Sequence, residues 1–330
     1  MKKVISVLLL ALLCVVSVVG CQTEKKKEAK KTDFPNKEIE IVVPFAAGGG
    51  SSITGQLAAQ IINEEKYLPA RMRVINKPGG NMAIGMAYTA TKNRDPYTLL
   101  LYTPLILTTP LLGDAGVNKD AFTQIAVFGY QLSLLCAKPG SQFKTLADVV
   151  NYAKANPGKL SISGAGKGGG QHLYAEILAK KAGFKYNFVP FAGSAEATAA
   201  LLGGHVDLAV IHLNEVGSFL EANKVIALGI ASKERISIVP NVPTFIEQGY
   251  NFVYGMPRGI VAPADIPEDA RQILGAAFKK LCESERWKKE YINKYAFTAD
   301  PLYLDDAKKY IDEQDKIYKE ILTEIGLIKK

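Results

Sequence analysis

A chain of 330 residues with 48% hydrophobic side chains is long enough for two domains of ordinary size, each with its own core. Its formal charge of +8 is not arranged as a nucleic-acid binder would need, because no basic stripe with interleaved aromatics is present. Mild positive charge suits an anionic solute without establishing one.

Met1-Lys2-Lys3 is a basic start, and Val4 to Val19 is an apolar run of 16 residues. A membrane span needs about 20 residues, so this run fits the hydrophobic region of a secretion signal. Val18-Val19-Gly20-Cys21 closes it in the manner of a bacterial lipobox, where Cys21 would carry the lipid and begin the mature protein. The alternative is an ordinary signal or anchor with a chance cysteine. Residues 22–33, rich in lysine, are too polar to fold and read as a tether. Without Lys2, Lys3 and the tether the chain keeps 33 basic and 29 acidic side chains, so the high pI belongs partly to its N-terminal segment.

The first folded signal is an apolar strand, Ile41 to Phe45, followed by Ala46-Ala47-Gly48-Gly49-Gly50-Ser51-Ser52 and a helix with Ile53, Leu57, Ile61 and Ile62 on one face. Met72–Asn76 is a second strand, ending at Lys77-Pro78-Gly79-Gly80-Asn81. Residues 97–102 form a third, continuous and apolar as in a parallel sheet buried on both faces. Ile125 to Ala137 is long for one strand and reads as a crossing between domains. Thr145 caps the next helix, with Asp148 three residues later and a stop at Asn156-Pro157-Gly158.

A second glycine turn follows the strand Leu160 to Ser163: Gly164 to Gly170, broken only by Ala165 and Lys167, then Gln171, His172 and a helix carrying Leu173 and Ile177. Strands at 188–191, 206–211 and 225–231 continue the alternation. A second long apolar stretch spans 253–262, and Pro267 opens a helix over 268–282. A helical region from Tyr303 to Ile325 ends the chain. This pattern predicts two α/β units with mainly parallel sheets, the chain entering the second unit and later returning to the first. The two glycine turns aim unpaired backbone N–H groups and helix-dipole ends at one spot each, a design suited to gripping a small anion in a cleft between the units.

Other motif readings fare worse. Gly164-x-Gly166-x-x-Gly169 matches a dinucleotide fingerprint, yet the next strand ends Phe188-Val189-Pro190-Phe191 without the required acid. Neither glycine turn ends in Gly-Lys-Ser/Thr, and Ser194 lacks the spacing of a nucleophile elbow. His205, Asp207 and His212 surround one strand, which rarely supplies a metal site alone, so structural roles are expected and no metal or cofactor is called. His172, in the first turn of its helix, stands between ligand contact and loop support. Cys14 lies in the signal. Cys136 and Cys282 sit in apolar or helical surroundings that favour free thiols, though a disulfide stays open.

From about Phe34 onward the chain resembles the substrate-binding proteins of tripartite tricarboxylate transporters, the Bug family. The resemblance is carried by Val43-Pro44-Phe45-Ala46 with Gly48-Gly49-Gly50, Asn76-Lys77-Pro78-Gly79, and Tyr97-Thr98-Leu99-Leu100. It continues in Gly166-x-Gly168 with His172, Val189-Pro190-Phe191-x-Gly193-Ser194, Leu201-Leu202-Gly203-Gly204-x-Val206-Asp207 and Pro240-x-Val242-Pro243-Thr244.

The resemblance implies a two-lobed fold like that of type II periplasmic binding proteins, with a ligand cleft between two α/β domains joined by crossing strands. It implies no catalysis. In the family, loop N–H groups and trapped waters hold one carboxylate end of the ligand. Carried over, contacts fall at Ala46, Ala47, Gly48, Gly49, Gly50, Ser51 and Ser52, at Asn81 and Met82, and at Lys167, Gly168, Gly169, Gly170, Gln171 and His172. Thr103 and Asn214 sit just past strands whose ends face the cleft. The family commonly has aspartate at Ser52, proline at Ala47, hydroxyl residues at Gly169 and Gly170, and two glycines where Asn81 and Met82 stand. Without the aspartate, no fixed anion waits there for a ligand ammonium group.

The expected organisation is a signal at 1–20, a lipidated tether at 21–33, one domain from 34–128 with 255–330, and a second from 129–254. The expected function is a monomeric, lipid-anchored extracytoplasmic receptor that delivers a small organic carboxylate to membrane permease subunits. The alternatives are capture of another anion, such as a sulfonate, for a different transporter, or an enzyme using the same cleft.

Overall fold

In a computed structural model, described for residues 33–113, 115–191 and 193–329, eleven strands form two sheets. The expected secretion signal, Cys14, Cys21 and nearly all of the expected tether lie outside the described residues. The first sheet has the order β11-β4-β10-β3-β1-β2, built from β1 (Ile39–Val43), β2 (Met72–Asn76), β3 (Thr98–Tyr102), β4 (Phe122–Gln131), β10 (Met256–Pro263) and β11 (Leu302–Tyr303). The second has the order β7-β6-β8-β5-β9, from β5 (Ser133–Ala137), β6 (Ser161–Ala165), β7 (Asn187–Phe191), β8 (Leu208–His212) and β9 (Ile226–Ile230). The result is a two-lobed α/β fold.

The expectation of mainly parallel sheets needs correction. β1 pairs parallel with β2 and β3, and β6 with β7 and β8, as helical crossovers require. The strands that link the lobes enter the other way. β10 is antiparallel to β3 and β4, and β5 is antiparallel to β8 and β9. A crossing strand arrives from the neighbouring lobe instead of from a helix on the sheet's own face, so it is free of the parallel constraint.

The apolar stretch at 125–137, long for one strand and read as a crossing, divides at Leu132 into β4 of the first sheet and β5 of the second. Every residue of β3 is buried, and Leu99, Leu100 and Leu101 are fully so. Burying each such leucine contributes about 1.5–3 kcal/mol. One buried cluster joins Tyr102 and Val127 of the first sheet to Leu135 and Leu173 of the second lobe, together with Ile311, Tyr318 and Ile321 of the C-terminal helix Leu304–Glu324. That helix also meets the second lobe at its surface, where Lys180 donates to Glu320 and Glu324. Cys136 and Cys282 are buried free thiols, which settles the choice left open by the sequence. Among the described residues no helix is long and apolar enough to cross a membrane.

Candidate functional site

Both glycine turns open onto the same cavity, a cleft of about 610 Å³ between the sheets. On the first side, Gly49 is the N-cap of the helix Gly50–Glu64, with φ −76° and ψ 166°. On the other, Gly169 caps the helix Gly170–Ala182 with φ −76° and ψ 176°. Neither cap has a side chain to satisfy the first turn. The first intrahelical bonds are Ile53 N–H to Gly49 and Leu173 N–H to Gly169, both 3.0 Å. The N–H groups of Gly50, Ser51 and Ser52, and of Gly170, Gln171 and His172, are thereby left without helical acceptors. Two helix N-termini with uncapped donors thus bound one cavity, a field that favours negative charge.

The residues expected to make contact divide clearly. Ala46, Gly49, Gly50, Ser51, Asn81 and Met82 line the cavity from the first lobe, as does Thr103. Gly169, Gly170, Gln171 and Asn214 line it from the second. Ala47, Gly48, Ser52, Lys167, Gly168 and His172 do not reach its lining. Ser52 is fully buried, and its hydroxyl accepts from Gln56 and Asn76 inside the first lobe. Gly48 and Gly168 shape the turns through φ of +82° and +77°. Lys167 and His172 belong to a second hollow, shared with Glu176, Lys180 and the end of the C-terminal helix.

His172 is a loop support. Its Nδ1 accepts the Gly168 N–H at 2.9 Å, its Nε2 lies 3.2 Å from Glu176, and its ring stacks on Phe188 at 4.0 Å. The turn that aims the donors is therefore fixed from behind. Asn81 and Met82 occupy the left-handed region, with φ of 49° and 78°. Asparagine tolerates that conformation better than methionine does. Met82 is anchored by burial and by the Thr103 hydroxyl near its sulfur at 3.5 Å, and the Asn81 carbonyl accepts from Thr109 at 2.7 Å.

Several lining groups were invisible as site residues in the sequence. Arg258, on β10, is only 8% exposed, and Nη2 donates to Gln131 Oε1 at 2.8 Å. Gln131 Nε2 in turn donates to Asn214 Oδ1 at 2.9 Å. His212 Nδ1 meets the Ser133 hydroxyl at 2.9 Å; burial, reinforced by the nearby Arg258 charge, lowers its pKa to about 3 and keeps it neutral. Glu215 stands at the open mouth of the cleft. Gln171 donates to Ser194, whose hydroxyl donates to Glu215, and enough protein surrounds that carboxyl for desolvation to raise its pKa. Tyr291 is positioned by the Thr54 hydroxyl at 2.6 Å and by Trp287, stacked at 4.2 Å. Met256, Phe297 and Ile53 supply apolar lining.

The sequence profile described as "Tripartite tricarboxylate transporter family receptor" matches residues 57–327. The "UPF0065 protein in gbd 5'region" of Cupriavidus necator is 31% identical over 306 residues, covering 92% of this chain and 91% of that protein. Among solved structures, a TctC solute binding protein from Polaromonas, without ligand, has 26% identity and a TM-score of 0.75, covering 88% of this chain and 99% of that one. An R. palustris protein solved with adipate shares the fold, with a TM-score of 0.73 at 22% identity over 88% of this chain and 98% of its own.

Proposed function

The chain belongs to the tripartite tricarboxylate transporter receptor family, whose members are solute-binding proteins and not enzymes; from that premise we propose that it captures a small organic carboxylate outside the cytoplasm and hands it to the transporter's membrane subunits. The observation that carries this reading is the pair of uncapped helix N-termini at Gly50 and Gly170, both bordering the one cleft. A carboxylate placed there accepts backbone N–H bonds from both lobes. Each hydrogen bond to a charged group contributes about 1.5–3 kcal/mol, so a two-sided grip suffices to favour closure around the anion. A fold neighbour solved with adipate supports the assignment of ligand class. Membrane attachment through Cys21, and action as a monomer, complete the reading. The first rests on Val18-Val19-Gly20-Cys21 alone.

A thermal-shift screen of carboxylates, sulfonates and phosphonates on the purified protein tests the proposal, because a ligand that binds only the folded state raises its melting temperature. Stabilisation by at least one carboxylate, with no turnover of it, is the expected outcome. Stabilisation by sulfonates or phosphonates alone would overturn the assignment.

A further inference from the structure

Glu215 is an acid in a cleft built to hold an anion. Among the described residues it is the one carboxylate in the lining, and it shares the cavity with the helix N-termini at Gly50 and Gly170. The second glycine turn holds it in place. Ala165 N–H donates to Gln171 Oε1, Gln171 Nε2 donates to the Ser194 hydroxyl at 3.1 Å, and that hydroxyl donates to Glu215 Oε2. Gln171 stands in the first turn of the helix Gly170–Ala182, so one relay joins the anion-gripping turn to the acid. A carboxylate solute and an ionised Glu215 then occupy one cavity, where like charges disfavour each other's ionised form.

The surroundings do not neutralise this acid. Arg258, on β10, attracts it, but the guanidinium's hydrogen bonds go to Gln131 Oε1 at 2.8 Å and, at 3.5 Å, to the Pro257 carbonyl. His212, on β8, is kept neutral by burial. Tyr291 and Tyr295 bring phenols to the cavity from the first lobe, and Glu196, in the first turn of the helix Ser194–Gly203, does not line it. The Glu215 side chain is open to the solvent of the cleft, yet the protein around it already raises its pKa, against the pull of the Ser194 bond and the Arg258 charge. Closure of the lobes over a solute would remove that solvent and add a negative charge. Both changes favour the protonated acid.

We propose that Glu215 is a proton-linked gate: each anion on which the cleft closes is taken up together with one proton, which settles on the Glu215 carboxyl. This rests on the carboxylate reading above and adds a co-ligand to it. The proton offsets one negative charge of the solute inside the cavity. With Oε2 accepting from Ser194, it goes to Oε1, and a repelling acceptor becomes a donor. The solute raises the proton affinity of Glu215, so by reciprocity the proton raises the affinity for the solute. Binding therefore strengthens as pH falls from the loaded toward the free pKa of the acid. Protonation of His172 would act with the opposite sign, because it takes the acceptor from the Gly168 N–H and loosens the turn.

Calorimetric titration of adipate into the wild type, Glu215→Gln and Ser194→Ala between pH 8 and pH 6 provides the test, in cationic buffers of different ionisation enthalpy. A carboxylate solute stays mostly ionised over this range. Wild-type affinity should rise about fivefold or more on going from pH 8 to pH 6, with net proton uptake on binding. Glu215→Gln, which has the shape of the protonated acid, should bind adipate about fivefold or more tighter than the wild type at pH 8, with little pH dependence and no proton uptake. Ser194→Ala removes a bond that favours the ionised acid, so its affinity should begin to rise at higher pH. A wild type without pH dependence or proton uptake overturns the gate. So does a folded Glu215→Gln that binds adipate at pH 8 no better than the wild type. If Glu215→Gln does not fold by circular dichroism, the wild-type proton count and Ser194→Ala decide. Should adipate not bind, succinate, butyrate and ethanesulfonate replace it in turn. Binding of ethanesulfonate alone removes the carboxylate reading, while its own pH series still decides the gate. If none of the four binds the wild type or Glu215→Gln at either pH, both readings fall.

Discussion

Gly49 and Gly169 share one backbone conformation across the cleft: φ is −76° at both, and each follows a glycine in the left-handed region, Gly48 at +82° and Gly168 at +77°. The two turns are conformational duplicates on different lobes. Their glycines do different jobs, however. The left-handed positions set the direction of the chain, whereas the caps sit at dihedrals open to any residue.

Substitutions should separate these jobs. Gly48→Ala meets no atom within 4 Å, so its cost is conformational, about 1–2 kcal/mol. Gly49→Ala brings a Cβ to an ordinary 3.6 Å from the Ala46 carbonyl at a permitted φ, and its stability should stay within about 0.5 kcal/mol of wild type. Chemical denaturation of the two variants measures the difference. Equal destabilisation would contradict the turn geometry.

Lys167 and His172 should part company as well. Lys167 is exposed and faces the hollow behind the turn, so Lys167→Ala should change ligand affinity less than about twofold, or 0.4 kcal/mol. His172→Ala removes the acceptor for the Gly168 N–H and should cost about 1–3 kcal/mol of stability, with weaker binding as a consequence of a loosened turn. Calorimetry paired with thermal melts distinguishes a lost contact from a lost support. A tenfold loss of affinity in a fully stable Lys167→Ala would put the ammonium in the grip.

His212 predicts a pH dependence. Its pKa falls from 6.5 in the unfolded chain to about 3 when folded, chiefly through burial. Between those values the unfolded state binds the extra proton, so stability is lost as pH falls below 6.5. The slope approaches about 1.4 kcal/mol per pH unit. Subtracting the pH profile of His212→Asn from that of the wild type between pH 5 and 7 isolates this group from carboxylates that titrate lower. A flat difference would mean that the ring is hydrated or protonated in the folded protein.

The legible parts of this fold were those with local causes. The Thr145–Asp148 capping box, the Pro267 helix start and the 72–76 strand are each dictated by a few adjacent residues, and all three are present. Both glycine turns were readable for the same reason. Arg258, Gln131 and Tyr291 were not, because each is set in the cleft by contacts with residues far away in sequence. Gln131 and Arg258 meet only because β4 and β10 are neighbours in the first sheet. Ser52 was misplaced because the first turn of a helix has an inner and an outer face, and the glycine run preceding it does not say which residue faces in. The left-handed φ at Asn81 and Met82 is a conformation that glycine adopts without a Cβ penalty, which gives a physical sense to the two glycines that the resemblance implies there.

Anchoring makes a separate prediction. One acyl chain gives only marginal membrane binding, so a firm anchor at Cys21 requires several chains on that residue. Cys21→Ala should leave the protein soluble or unprocessed on cell fractionation. A processed variant that still sediments with membranes would remove Cys21 from the anchor.

Closure can be read from two contacts. A Cβ on Gly168 would approach Leu112 of the first lobe at 2.8 Å, and one on Gly170 would stand 2.3 Å from the Met256 sulfur. These glycines let the second turn come down onto the first lobe and β10 with no side chain between. The connections at Leu132 and at residues 231–255 each join one sheet to the other, so closure is expected to turn on them. Binding a ligand should lower the radius of gyration in solution scattering. Gly170→Ala should weaken both the affinity and that change, because overpacking a tight contact typically costs about 1–3 kcal/mol. Its free-state scattering should match the wild type. A loaded wild type with an unchanged radius, binding having been verified by calorimetry, would mean that the cleft is rigid and that Gly168 and Gly170 serve packing alone.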